Sequence, residues 1–376
     1  VKLVTQWDIS ALPYNEENNS EFKGSYMEQW LNDTSVDGFL GNLREPDKFI
    51  KTDSVWNATM TTETTKPAKT TMVTDAVGLL NVYEYTMSYK NLSRPSNGYL
   101  NNGLDWCMLT PYSTLFVRSV NYSDGYSTYA GPESSYGSRP SINLKSAVKI
   151  IDGDGTVNNP YRLQGDNDNP TGTLLSTRYS GEYISFGTGE NNLYRIVSHE
   201  NGTGTKITSA IPLKDSGNYK KMSFGSDVTF SKDNTIGTFL NGDYLKTYLT
   251  SDQVNMIEDN TTWYLGTVGS GTNYRLAKYQ DATGSNLTTS TTTAKIGLLR
   301  LGELMAGQFD KYANKANYWT LTPYNSTQYV NLVMGNGLDY ESPSFSWGSR
   351  PSMNLKSTVK IVSGKGTKSS PFVISN

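Results

Sequence analysis

The sequence predicts an α+β fold made of two tandem domains, each combining short helices with a mainly antiparallel sheet. Three observations carry this. The first is an internal repeat in the 376 residues. Trp106-Cys-Met-Leu-Thr-Pro-Tyr112, Gly137-Ser-Arg-Pro-Ser-Ile-Asn-Leu-Lys-Ser146, Val148-Lys-Ile150, Gly153-Asp-Gly-Thr156 and Pro160-Tyr161 return as Trp319-Thr-Leu-Thr-Pro-Tyr324, Gly348-Ser-Arg-Pro-Ser-Met-Asn-Leu-Lys-Ser357, Val359-Lys-Ile361, Gly364-Lys-Gly-Thr367 and Pro371-Phe372. The second is period-two alternation in short runs bounded by Gly and Pro, which marks half-buried strands. The third is length, since two units of roughly 190 residues can each bury a core.

Each copy reads in one order. A short apolar-periodic helix opens it, around 23–32 and 239–258. Gly24-Ser-Tyr-Met-Glu-Gln-Trp-Leu31 aligns with Gly242-Asp-Tyr-Leu-Lys-Thr-Tyr-Leu249, and Phe239, Leu240, Tyr244, Leu245, Tyr248 and Leu249 recur at helical spacing. A strand around Trp56 or Trp263 follows, then a Thr-rich loop at 57–72 or 280–294. Val77-Gly-Leu-Leu80 and Ile296-Gly-Leu-Leu299 are strands leading into a short helix with Glu84 or Glu303. A β-rich segment closes each copy, ending in two strands around a Gly-rich turn. The copies span 1–163 and 182–376, with 164–181 as linker. The second opens on Glu182-Tyr-Ile-Ser-Phe186 and Leu193-Tyr-Arg-Ile-Val197, two strands without a counterpart in the first. Val1-Lys-Leu-Val4 aligns with Thr205-Lys-Ile-Thr208, so the missing strands are expected either upstream or from a neighbouring subunit.

Composition narrows the function. The net charge of −2 gives no footprint for nucleic acid or an anionic membrane. One His and one Cys exclude a Cys/His metal cluster and a Cys–His nucleophile pair in each domain. Cys107, aligned with Thr320, reads as a packed small side chain. Charged residues are only 18%, which suits an exported chain solvated by hydroxyls and amides. With no disulfide framework, a Gram-positive cell surface is the expected setting.

The run Gly-Asp-Tyr-Leu-Lys-Thr-Tyr-Leu, Gly-Leu-Leu-Arg-Leu-Gly-Glu, Trp-Thr-Leu-Thr-Pro-Tyr and Gly-Ser-Arg-Pro-Ser-Met-Asn-Leu resembles a domain of unknown function from surface and exported proteins of Firmicutes. The tail Lys-Ser-x-Val-Lys-Ile-x-x-Gly-x-Gly-Thr-x-x-x-Pro-Tyr is similar to that of their type IV pilin-like and pseudopilin-like proteins. The Trp…Gly-x-Arg-Pro arrangement is also similar to the C-type-lectin-like fold. That likeness implies two tandem C-type-lectin-like domains whose ligand-binding side chains lie in the run before Gly-x-Arg. The enzyme branch of that fold needs active-site cysteines, so its activity does not carry over to a chain with Cys107 alone.

The candidate ligand-binding residues are Tyr112, Tyr122 and Tyr126 in the first copy, and Tyr324, Tyr329, Asn331, Asn336, Tyr340 and Trp347 in the second. They stand where the copies differ most, in runs that also hold Phe116, Arg118, Tyr129 and Phe345. Tyr offers large contact area at low entropy cost and Asn offers adaptable hydrogen bonds, the composition of a paratope. Loops packing on their own domain are the alternative. Arg139 and Arg350 recur with Glu84 and Glu303, and a structural Arg–Glu pair is expected in each domain.

Asp152-Gly-Asp154-Gly resembles a calcium loop, but Ser363-Gly-Lys365-Gly puts a cation there in the second copy. A glycine turn with positive φ and no metal is expected instead. Asp166, Asn167 and Asp168 read as a solvated linker. Lys145 and Lys356 recur beside Asn143 and Asn354, but neighbours in one strand have the wrong geometry for a mutual isopeptide bond.

The expected function is non-enzymatic, without a cofactor. It is an extracellular surface or pilus-associated, pilin-like adhesion protein presenting Tyr/Asn-rich loops to a carbohydrate or protein ligand. The alternative is a structural subunit of a filament or envelope, self-associating with other pilus or surface subunits through strand exchange and the same loops. No nucleic-acid partner and no membrane segment are expected in this stretch of chain.

Overall fold

The computed structural model describes residues 1–6, 8–15, 18–34, 38–43, 45–89, 98–156, 158–164, 169–199, 204–265, 280–281, 285–286, 290–300, 303–304, 316–324, 327–334 and 337–376. Strand dominates over helix, 35% against 14%, so the fold is a sheet-rich α+β. The chain divides into two compact units, Val1–Val148 with Ser270–Gly284, and Lys149–Gly269 with Ser285–Asn376.

In unit one, the strand Lys2–Val4 (the Lys strand) pairs antiparallel with Ser141–Asn143 (the Asn strand), which pairs in turn with Val77–Gly78. A second sheet carries Trp106–Pro111, Val117–Val120 and Ser127–Ala130 as an antiparallel meander. Beside it run Ser135–Ser138 and Ser10–Pro13. A hairpin joins Ser54–Asn57 to Met72–Asp75.

Unit two repeats each part. Its Lys strand is Thr205–Ser209 and its Asn strand is Ser352–Leu355, with Leu193–His199 and Tyr183–Ser185 adding the two expected strands at one edge. A bridge from Gly297 to Ser352 stands where Gly78 meets Ser141. The meander is Tyr318–Pro323, Val330–Met334 and Gly337–Glu341, and the hairpin is Thr261–Tyr264 with Thr291–Ala294.

The hairpin tryptophans are the clearest anchors. Trp56 and Trp263 are each 1% exposed, and their indole N–H groups donate to the carbonyls of Asp75 (3.0 Å) and Ala294 (2.9 Å). Gly78 and Gly297 lie flat against those rings. A Cβ would fall 2.4 Å from Trp56 in one unit and 2.6 Å from Trp263 in the other. The Gly-Leu-Leu strand therefore needs glycine because its backbone touches an indole face.

Five expectations need correction. The helix expected over 239–258 is three, Thr235–Asn241, Asp243–Thr247 and Ser251–Met256. Gly242 takes a non-helical backbone, and Thr250 starts a new capping box with Gln253. The counterpart of Tyr26–Asn32 is Thr235–Asn241 and not 242–249, because Ser25 and Asn234 cap the two helices alike. Asn32 and Asn241 then make matching bonds, each side-chain amide accepting from and donating to the backbone of Val77 or Ile296.

Cys107 corresponds to Trp319 and not Thr320, since Cys107 faces Ser119 where Trp319 faces Leu332. The hairpin Ile150–Asp152 with Arg162–Leu163, placed in the first copy by the repeat, belongs to unit two. The segment 169–181, read as linker, also folds into unit two, where Leu175 joins the core and Gly172 donates to Ile361. Asp166, Asn167 and Asp168 lie outside the described residues.

The positive φ expected in the Gly-rich turns is present. Gly153, Gly155, Gly364 and Gly366 have φ of 88, 79, 96 and 71°. Asp154 turns its carboxylate onto its own loop, accepting from Thr156 N–H (3.0 Å) and Oγ1 (2.7 Å). Lys365 Nζ stands 3.2 Å from Asp152.

Candidate functional site

The tyrosine runs converge on a three-ring ledge at the same place in each meander. In unit one, Tyr112 stacks on Tyr129 with centroids 4.4 Å apart and planes 17° apart, and Phe116 meets Tyr129 edge-on at 5.1 Å. In unit two, Tyr324 stacks on Tyr340 at 3.9 Å and 15°, and Tyr329 tilts against Tyr340 at 5.2 Å. Backbone geometry explains the match. The turn after each Pro-Tyr closes with a bond from the Tyr112 N–H to the Phe116 carbonyl, and from Tyr324 to Tyr329, both 2.9 Å. The third ring comes from the next strand, where Tyr129 faces Arg118 and Tyr340 faces Asn331 across the pair.

Both stacked pairs are more than 40% exposed. Offset rings at these separations stabilise each other by about 0.5–1.5 kcal/mol, so each pair is pre-formed. What lies beneath differs. The Arg118 guanidinium sits 4.7 Å from the Tyr112 ring and pairs with Glu63. Asn331 takes its place in unit two, donates to the Thr322 carbonyl at 3.1 Å and is only 6% exposed.

The remaining candidates divide. Tyr122 and Tyr126 are exposed but belong to the turn after the second meander strand; Tyr122 N–H bonds to Asp105 and Tyr126 N–H to Asp124. Trp347 is part-buried against the core, paired with Met222. Asn331, being buried, supports the ledge and does not face out. Asn336 lies outside the described residues. Tyr129 and Phe116 complete the ledge, and cross-strand register was the signal that could have singled them out.

The expected Arg–Glu pairs are corrected. Arg139 donates from Nε (3.1 Å) and Nη2 (2.9 Å) to the Thr5 carbonyl and lies 4.7 Å from the Trp106 ring. Arg350 donates to the Ser209 carbonyl (2.8 Å) and to the Tyr318 hydroxyl (3.2 Å). Each guanidinium thus clamps the end of its Lys strand, and burial lowers the Arg139 pKa. The glutamates pair with lysines instead, and Glu303 also with Arg300, whose Nη2 lies 3.6 Å away. Glu84 Oε2 accepts from Asn81 N–H at 3.1 Å, a capping-box bond that aims Oε1 at Lys2. Glu303 Oε2 accepts from Arg300 N–H at 3.0 Å, and Oε1 from Lys206 at 2.6 Å. Lys2 lies 4.8 Å from the Trp56 ring and Lys206 5.1 Å from the Trp263 ring. Burial pushes the Glu303 pKa up, but the Lys206 and Arg300 cations outweigh it and hold the carboxyl below its usual value.

Cys107 is fully buried, and burial pushes its thiol pKa upward, the opposite of an activated nucleophile. No family model, curated protein or solved structure matches the chain.

Proposed function

We propose that the protein is a non-enzymatic binding protein of the cell surface, pilus-associated, in which two C-type-lectin-like modules each offer a tyrosine ledge to a carbohydrate ligand. The observation that carries this reading is the ledge itself. Three aromatic rings occupy equivalent positions in both units, with the stacked pairs half-exposed where a purely structural cluster would be covered. Ring surface with hydroxyls at its rim suits a sugar, whose C–H face packs on aromatics while its hydroxyls take hydrogen bonds. The polar neighbour differs between units, Arg118 against Asn331, which fits two ledges of different preference.

A glycan array with the intact chain tests this. Tyr324→Ala and Tyr340→Ala together should weaken binding to unit-two ligands at least about tenfold, the effect of losing about 1.4 kcal/mol, with the melting temperature nearly unchanged. Retained binding by the double variant sinks the reading. Unchanged binding together with lost self-association would favour the filament subunit.

A further inference from the structure

Unit two buries a lysine, an asparagine and a glutamate together, and we propose that Lys206 Nζ and the Asn354 side-chain amide condense into an isopeptide bond, with Glu303 as proton carrier. Lys206 and Asn354 are direct partners in the antiparallel register of the Lys and Asn strands. Such partners project from the same face with Cβ atoms about 4.5–5.5 Å apart. Lys206 is 1% exposed and Asn354 2%. A lysine is almost never buried this completely.

The carboxylate is positioned as well as present. Glu303 Oε2 is pinned by the Arg300 N–H at 3.0 Å, which leaves Oε1 on Lys206 Nζ at 2.6 Å. The Trp263 ring closes over the ammonium at 5.1 Å, and Gly297 backs the ring so closely that no side chain fits there. Lysine and asparagine are thus buried register partners on adjacent strands, and the proton carrier is bonded to the lysine.

The chemistry balances without an outside reagent. Proton transfer from the Lys206 ammonium to Glu303 removes two buried charges, which desolvation favours, but it works against the Arg300 guanidinium 3.6 Å from the carboxylate, so the amine is freed in a minor, transient form. The freed amine attacks Cγ of Asn354 and the new C–N bond forms. Glu303 gives its proton to Nδ2, the Cγ–Nδ2 bond breaks and ammonia leaves. The carboxylate then removes the surplus proton from the new amide nitrogen and ends protonated.

Unit one supplies an internal comparison. Lys2 faces Asn143 in the same register, Glu84 meets Lys2, and Trp56 lies over it. There the lysine and glutamate side chains are 33% and 32% exposed. Water reaches that ion pair, and the condensation is proposed for unit two alone.

Intact-mass spectrometry and peptide mapping of the denatured wild-type chain test the proposal. The expected result is a mass lower by one ammonia and a branched peptide joining Lys206 to Asn354. Glu303→Ala and Lys206→Ala, checked for folding by circular dichroism, should restore the full mass and lose the branch. Unmodified Lys206 and Asn354 peptides from the folded wild-type protein would overturn it. So would a loss of ammonia without the branched peptide, which marks asparagine cyclisation elsewhere. The wild-type peptide map decides the matter even if a variant fails to fold.

Discussion

Asp75 and Glu28 bring two carboxyls together in unit one. Burial, the hydrogen bond to Glu28 and the Glu28 charge raise the Asp75 pKa to about 7, with Lys23 opposing. The folded state therefore holds a proton that the unfolded chain releases near its ordinary value of 3.8. Stability from this group is fully present below that value and is lost as pH rises towards 7. Asp75→Asn, which imitates the protonated form, should raise the melting temperature at pH 8, and the gain should vanish near pH 4. A difference constant with pH would count against the shared proton. Residue identities were partly legible at this scale. The repeat singled out Glu84, Glu303, Arg139 and Arg350, but not their partners. Lys2 and Lys206 sit in strands whose alternation marks them as outward-facing, and only the register shows an indole and a carboxylate waiting there.

The element most dependent on one side chain is the Gly-Leu-Leu strand. Asn241 Nδ2 donates to the Ile296 carbonyl (3.0 Å) and Oδ1 accepts from the Ile296 N–H (2.9 Å), standing in for a missing strand neighbour. Ile296 is fully buried, so removing the amide strands two polar backbone groups away from water. Asn241→Ala should cost about 2–6 kcal/mol, measured by urea denaturation, at about 1–3 kcal/mol for each of the two unsatisfied groups. Asn32→Ala should act alike in unit one. Strands and turns were readable because period two and positive-φ glycines are local signals. The helix correspondence was not. Gly242 breaks an apolar pattern that stays helical on either side, so aligning by hydrophobicity slipped by one helix. Serine and asparagine caps, Ser25 and Asn234, carry the true alignment but look unlike as letters.

At the scale of the whole chain, the described buried apolar residues form two clusters, one around Trp56 and one around Trp263. Two cores imply two cooperative transitions. Gly78→Ala drives a methyl into the Trp56 ring, and overpacking of this kind costs about 1–3 kcal/mol. Calorimetry should show one transition falling by several degrees and the other unmoved; a joint shift would mean a single cooperative unit. The tandem plan was plain from the repeat, whereas the boundary at Val148 was not, because the hairpin after it resembles the tail of the first copy yet packs with the second. The exchange of Cys107 for Trp319 has a use of its own. The chain has one cysteine, and it lies sealed in the unit-one core where unit two carries an indole. A small thiol reagent can reach it only when unit one opens. The rate of labelling is then a clock for the breathing of one half of the molecule, read without any engineered probe.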